Sequence, residues 1–111
     1  MLEGQTKDTY PEICRGELHI CLESRNAWIG EQHLGLTKYE FDVLCLLARH
    51  PRRVFSKEQI YEHVWEKESG KTDNATRCVI SGLRKKLKQY IDKEYIQTVR
   101  GIGYKFVIPE A

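Results

Sequence analysis

The stretch at residues 74–106 reads NATRCVISGLRKKLKQYIDKEYIQTVRGIGYKF, a helix pattern followed directly by a hairpin pattern. Its first half predicts an amphipathic helix from about Asn74 to Tyr90, with Thr76, Ile80, Leu83, Leu87 and Tyr90 recurring on one face. Its second half holds two β-rich segments. Tyr95–Val99 and Tyr104–Ile108 are joined by Arg100-Gly101-Ile102-Gly103, and two glycines in four residues predict a tight hairpin turn.

Working back toward the N-terminus, Ser56-x-x-Gln59 is a capping box before Ile60, Val64 and Trp65 and starts a second helix. A polar loop, Glu66 to Asp73, contains Ser69-Gly70 and links it to the helix above. Thr37-x-x-Glu40 is another capping box, set before Phe41, Leu44, Leu47 and Ala48, and Pro51 stops that helix after His50. From Ile13 to Leu36 the chain carries short alternating runs, clearest at Leu18, Ile20 and Leu22. Gly16, Ser24-Arg25-Asn26, Gly30 and Gly35 punctuate them, so three or four short antiparallel strands fit. Residues 1–12 are polar, contain Pro11 and read as a linker or tail; 13–108 form the domain and 109–111 a C-terminal tail. The order is strands, three helices and a hairpin, an α+β layout. Its last two helices form a helix-turn-helix-like unit with a long turn, and the hairpin is a wing.

A chain of 111 residues that is 41% hydrophobic has room for one modest core and excludes wholesale disorder. No apolar run approaches the roughly 20 residues of a membrane span and no signal peptide is legible, so the expected location is the cytoplasm. Net charge is only +2 but unevenly spread. Residues 1–73 hold 10 Lys/Arg against 13 Asp/Glu, whereas residues 74–111 hold 8 against 3. A basic C-terminal third suits an anionic partner; a solvated helix face gives the same pattern. Cys14, Cys21, Cys45 and Cys78 form no C-x-x-C pair and have no histidine at ligand spacing, so neither a metal nor another cofactor is expected. A Cys14–Cys21 disulfide stays open if the two flank a hairpin, with reduced thiols the default. Glu58, Glu62 and His63 share a helix, but carboxylates at that spacing usually mark helix surface. With no phosphate loop or nucleophile elbow, no enzyme is expected.

On a helical wheel, Asn74, Cys78, Ser81 and Lys85 lie opposite the apolar face of the third helix. Arg77, Arg84 and Lys88 flank one edge of this stripe and Ala75 and Gly82 the other. Slender or hydrogen-bonding residues toward base edges, with cations toward phosphates, are what a helix inserted into a DNA groove requires. An ordinary amphipathic helix with a basic solvated face is the competing reading. Arg100, at the tip of a glycine-flanked turn, is free to enter a minor groove, and Thr98 can donate its hydroxyl to a phosphate.

Thr98-Val99-Arg100-Gly101-Ile102-Gly103-Tyr104-Lys105-Phe106 resembles the closing signature of the OmpR/PhoB family of response-regulator DNA-binding domains. Leu36-Thr37-x-x-Glu40-Phe41, Ser56-Lys57-Glu58-Gln59-Ile60, Val64-Trp65 and Leu83-Arg84-Lys85-Lys86-Leu87 fall in that family's order and spacing. The resemblance spans roughly residues 13–108. It implies a winged helix-turn-helix with an N-terminal antiparallel four-stranded sheet, and a two-component effector domain that regulates transcription by binding double-stranded DNA. In the family the third helix enters the major groove and the wing arginine the minor groove. The loop between the second and third helices, here Lys67, Glu68, Ser69, Gly70 and Lys71 within Glu66–Asp73, is associated with contacts to RNA polymerase. Such domains pair head to tail on direct repeats and follow a phospho-accepting receiver domain, which is absent from this sequence; an effector fragment, monomeric when free, is therefore expected.

The chain departs from the family pattern at the helix. Relatives often carry arginines at the positions of Ser81 and Gly82 and an aspartate at that of Arg77, so base-reading roles transfer less well than the backbone contacts of Arg84, Thr98 and Arg100. With only Lys85 on the central stripe suited to guanine, and with Ala75, Cys78 and Val79 suited to thymine methyls, A·T-rich half-sites are expected. A protein-interaction winged helix that turns its basic face to an acidic partner is the alternative.

Overall fold

Short alternating strands come first in the computed structural model, which describes residues 12–65 and 74–109. β1 (Glu12–Arg15), β2 (Leu18–Cys21), β3 (Asn26–Ile29) and β4 (Gln32–His33) form an antiparallel meander in that order. Ile13, Leu18, Ile20, Ala27 and Ile29 point inward and are buried. The opposite side chains (Glu12, Cys14, His19, Cys21, Asn26, Trp28 and His33) therefore share the outward face. Cys14 stands opposite His19 and Cys21 opposite Glu12, and all four cysteines are free thiols. The two cysteines are thus not directly cross-strand neighbours, and the disulfide left open above is not formed.

Helix α1 (Lys38–Arg49) begins where its sequence requires. Thr37 Oγ1 accepts from the Glu40 N–H at 3.3 Å, and the Glu40 carboxylate accepts from the Thr37 N–H at 3.0 Å. Ser56 and Gln59 repeat the box at 3.0 and 2.9 Å before α2 (Lys57–Trp65). Each box satisfies two amide donors that would otherwise lack a partner, contributing about 1 kcal/mol. Helix α3 (Ala75–Lys88) buries Thr76, Ile80, Leu83 and Leu87, as its periodicity predicts. Tyr90 is the exception. It lies past the helix end and is 42% exposed, while Ile91 turns into the core instead.

The hairpin is β6 (Ile96–Val99) and β7 (Gly103–Phe106), shifted slightly from the predicted bounds. A further strand, β5 (Val54–Phe55), pairs with β7 and makes a three-stranded sheet in the order β5-β7-β6. Two residues are too few to show any period, so β5 left no mark in the sequence. Gly103 earns its place here through close approach rather than backbone angle: a Cβ on it would overlap the Phe55 carbonyl. The turn itself relies on Gly101, at φ 76°, with the Ile102 N–H donating to Val99 O at 2.9 Å.

Leu18, Ile20, Leu44, Leu47, Ile60, Ile80, Leu83, Phe55 and Phe106 meet in one core between the two sheets and the helices α1, α2 and α3. Fully burying each such side chain is worth about 1.5–3 kcal/mol. Tyr95 ties the sheets together: its hydroxyl accepts the Glu17 N–H at 3.0 Å, and its phenol pKa is raised, mainly by burial. Among the described residues, no helix is long and apolar enough to cross a membrane.

Candidate nucleic-acid interface

Packing orients α3. Thr76 Oγ1 donates to Lys57 O at 3.3 Å and holds the start of α3 against the start of α2. Lys86 reaches the other way, donating to Glu40 Oε1 at 2.6 Å and to Gly35 O at 3.0 Å. The Glu40 carboxylate, largely buried, thus joins the α1 cap to α3. With Thr76, Ile80, Leu83 and Leu87 locked inward, Arg77, Cys78, Ser81, Lys85 and Lys88 are all exposed on the far side. The helical wheel predicts this strip, including an exposed Cys78. Ala75 and Val79 are half-buried at its border. Asn74 is exposed at the N-cap position and its side chain makes no capping hydrogen bond.

Two placements correct the sequence reading. Gly82 is half-buried and faces α1, where a Cβ would stand 2.6 Å from Glu40 Oε2. Its smallness answers to that carboxylate, held by Lys86 and the Thr37 amide, and not to the outward strip. Arg84 is not simply a solvent-facing cation. Its Nε and Nη2 donate to Ile96 O at 3.3 and 3.1 Å, Nη2 donates to Thr98 Oγ1 at 2.6 Å, and the guanidinium lies 5.7 Å from the Tyr104 ring centroid. Arg84 therefore clamps the wing to α3. By filling a lone pair of Thr98 Oγ1, it also leaves that hydroxyl's proton free for an outside acceptor.

Between α3 and the wing lie two concave surfaces. One, of about 370 Å³, is lined by Arg77, Ser81, Arg84, Lys85, Lys88 and Tyr104. The other, of about 320 Å³, is bounded by Lys57, Glu58, Arg77, Thr98, Gly101 and Tyr104. Arg77 and Tyr104 belong to both, so one continuous trough, whose charged lining is cationic apart from Glu58, runs from α3 to the wing turn, where Arg100 is exposed. Lys57 and Tyr104 were not singled out by sequence. Tyr104 had a usable signal, since it is the direct cross-strand partner of Thr98. A further cavity, of about 580 Å³, lies away from this trough, against α1 and α2, and is lined by Arg25, Asp42, Arg49 and His63 among others. Beside it Tyr39, Trp65 and Tyr61 stack at 4.5 and 4.9 Å. Lys67, Glu68, Ser69, Gly70 and Lys71, expected to meet RNA polymerase, lie outside the described residues. His63 Nδ1 donates to Gln59 O at 2.9 Å, which ties the imidazole to its own helix.

Two helices, the second with an exposed face, and the hairpin beside them define a winged helix-turn-helix. Residues 30–106 match the family model described as "Transcriptional regulatory protein, C terminal". The chain belongs to this family, the OmpR/PhoB type. It is 41% identical over 87 residues to the response regulator ArlR of Staphylococcus haemolyticus, covering 78% of this chain and 40% of that protein. It is 32% identical over 100 residues to the Bacillus subtilis "Uncharacterized transcriptional regulatory protein YkoG", covering 90% of this chain and 44% of that one. The chain thus spans about two fifths of the length of these relatives. Among solved structures, it superposes on the Klebsiella pneumoniae RstA DNA-binding domain in complex with the RstA box with a TM-score of 0.79 at 29% identity. That match covers 90% of this chain and all of the RstA chain. The DNA-binding domain of Escherichia coli CpxR matches at 0.78 and 35%, over 87% of this chain and 96% of the other.

Proposed function

We propose that this chain is the effector domain of a two-component response regulator, which binds double-stranded DNA sequence-specifically and so regulates transcription in the cytoplasm. The observation that carries this reading is the exposed strip Arg77, Cys78, Ser81 and Lys85, set beside a wing whose turn presents Arg100. An α-helix fits the major groove of B-DNA, and a strip of small and hydrogen-bonding side chains edged by cations suits base edges flanked by phosphates. Arg77, Lys85 and Lys88 contact phosphates or groove edges, and Thr98 donates to a phosphate. Arg84 sets the position of the wing and offers its remaining N–H groups. Arg100 enters the minor groove, whose negative potential attracts it. Asn74 pairs with adenine, and Ala75, Cys78 and Val79 meet thymine methyls, which favours A·T-rich sites. Gly82 takes no part.

The free domain is a monomer and pairs head to tail on direct repeats spaced by about 10–10.5 bp, one helical turn. Residues 66–73 contact RNA polymerase. No catalysis is part of the reading.

Selection of bound sequences from a randomised duplex pool tests it. Direct repeats rich in A·T should be enriched, and affinity should fall steeply with salt as phosphate counterions are released. Binding without sequence preference, or enrichment of guanine at the major-groove positions, overturns the readout assigned to α3. Failure to bind any duplex leaves the trough to an acidic protein partner.

A further inference from the structure

The outward face of the N-terminal sheet carries chemistry that DNA binding does not use. Cys14 and His19 are cross-strand partners, and Glu12 lies two residues before Cys14 on the same face. The Glu12 carboxylate, the Cys14 thiol and a His19 ring nitrogen all lie within 4.8 Å of one another. His19 Nε2 is 3.0 Å from Glu12 Oε1, but the two are misaligned for a hydrogen bond. That ring nitrogen is shielded from solvent and has no hydrogen-bond partner among the described residues. The nearest acceptor is the Glu12 carboxylate, and the two side chains are 43% and 44% exposed, so the cluster is open to an ion from solvent. On the same face, His33 Nε2 donates to Asn26 Oδ1 at 2.9 Å. Trp28, 6.0 Å from His19 between ring centroids, flanks it on the side away from β1.

We propose that Glu12, Cys14 and His19 form a site for one thiophilic divalent cation of the Zn²⁺ type. Thiolate, imidazole and carboxylate together are the donor set such an ion prefers over Mg²⁺ or Ca²⁺. With ligand bonds of about 2.0–2.3 Å, the donors of a tetrahedral shell stand about 3.5 Å apart, within a small rotamer adjustment of the observed cluster. Three protein ligands leave the fourth position to water. Binding exchanges the Cys14 S–H bond for an S–metal bond and releases the proton to solvent. Cys21 is also on this face, opposite Glu12, but its thiol lies outside the cluster. Spacing rules miss the site because the pairing of β1 with β2, not a short motif, creates it. Once bound, the ion staples β1 to β2 where residues 1–11 join the domain.

Titration of the reduced full chain with Co²⁺ tests the proposal. A thiolate-to-cobalt absorption band should saturate at one equivalent. It should vanish in Cys14→Ser, weaken by an order of magnitude or more in affinity in His19→Gln and Glu12→Gln, and persist in Cys21→Ser and Cys78→Ser. Zn²⁺ should slow alkylation of Cys14 but not of Cys78, and should raise the melting temperature of the parent chain but not of Cys14→Ser. No band, a band that survives Cys14→Ser, or unchanged binding in both His19→Gln and Glu12→Gln overturns the site.

Discussion

The sheets β1–β4 and β5-β7-β6 each turn one face to the same core and the other to solvent, but they are held differently and carry different chemistry. The first is a local meander whose tight turns place Gly16, Arg25 and Gly30 at positive φ, and its outer face bears Glu12, Cys14, His19 and Trp28. The second gathers strands from distant parts of the chain. It is clamped from α3 by Arg84, and its turn bears Arg100. The contrast teaches that sheet architecture alone assigns no role here; what each outer face presents does.

Glycine substitution should separate the two sheets most strongly. Gly103→Ala forces a methyl into the Phe55 carbonyl, and its cost should reach about 3 kcal/mol, since backbone on both sides must move. Gly30→Ala meets open space and carries only the left-handed backbone penalty of about 1 kcal/mol. Urea denaturation of both variants measures the gap, and equal losses would refute close approach as the reason for Gly103.

Arg100→Ala should cost about 2 kcal/mol of specific DNA binding, roughly thirtyfold in Kd, with the melting temperature unchanged. Its side chain stands exposed at the turn, so a lowered melting temperature would mean that it supports the wing. Arg84→Ala should show the opposite emphasis. Losing the clamp to Ile96 O and Thr98 should cost about 1.5 kcal/mol of stability, with weaker binding following from a looser wing. Full stability with lost binding would return Arg84 to the purely phosphate-contacting role expected from sequence.

A further effect is set by pH. Burial pushes the Cys45 thiol from its ordinary 9.0 up to about 11. The unfolded chain therefore releases this proton first, so stability is full below pH about 9 and falls as pH rises toward about 11. Tyr95, raised by burial as well, acts in the same direction. A melting-temperature profile across that window should slope downward, and Cys45→Ala should flatten it. An identical slope in the variant would assign the loss to other groups.

Helix starts were legible in the sequence because a capping box is a four-residue hydrogen-bond pattern, and Thr37–Glu40 and Ser56–Gln59 contain all they need. The faces of α3 were legible because period and burial coincide over its length, which put Cys78 outside correctly. Tyr90 broke the same rule because the helix ends before it, and no local signal marks that end. Likewise, the glycine-rich turn after Val99 announced the hairpin, but β5 is too short to announce itself.

Partnerships between residues far apart in the chain left no such trace. Gly82 looked like a groove residue until Glu40, 42 positions earlier, was seen to fill the space beside it. Arg84 looked like a free cation until Ile96 and Thr98 accepted its N–H groups. Glu12, Cys14 and His19 had no motif until strand register set them together. Periodicity and caps are properties of neighbours along the chain, and a sequence displays them directly. Register and helix docking arise from burying one common core, and they appear only once the whole chain has chosen how to bury it.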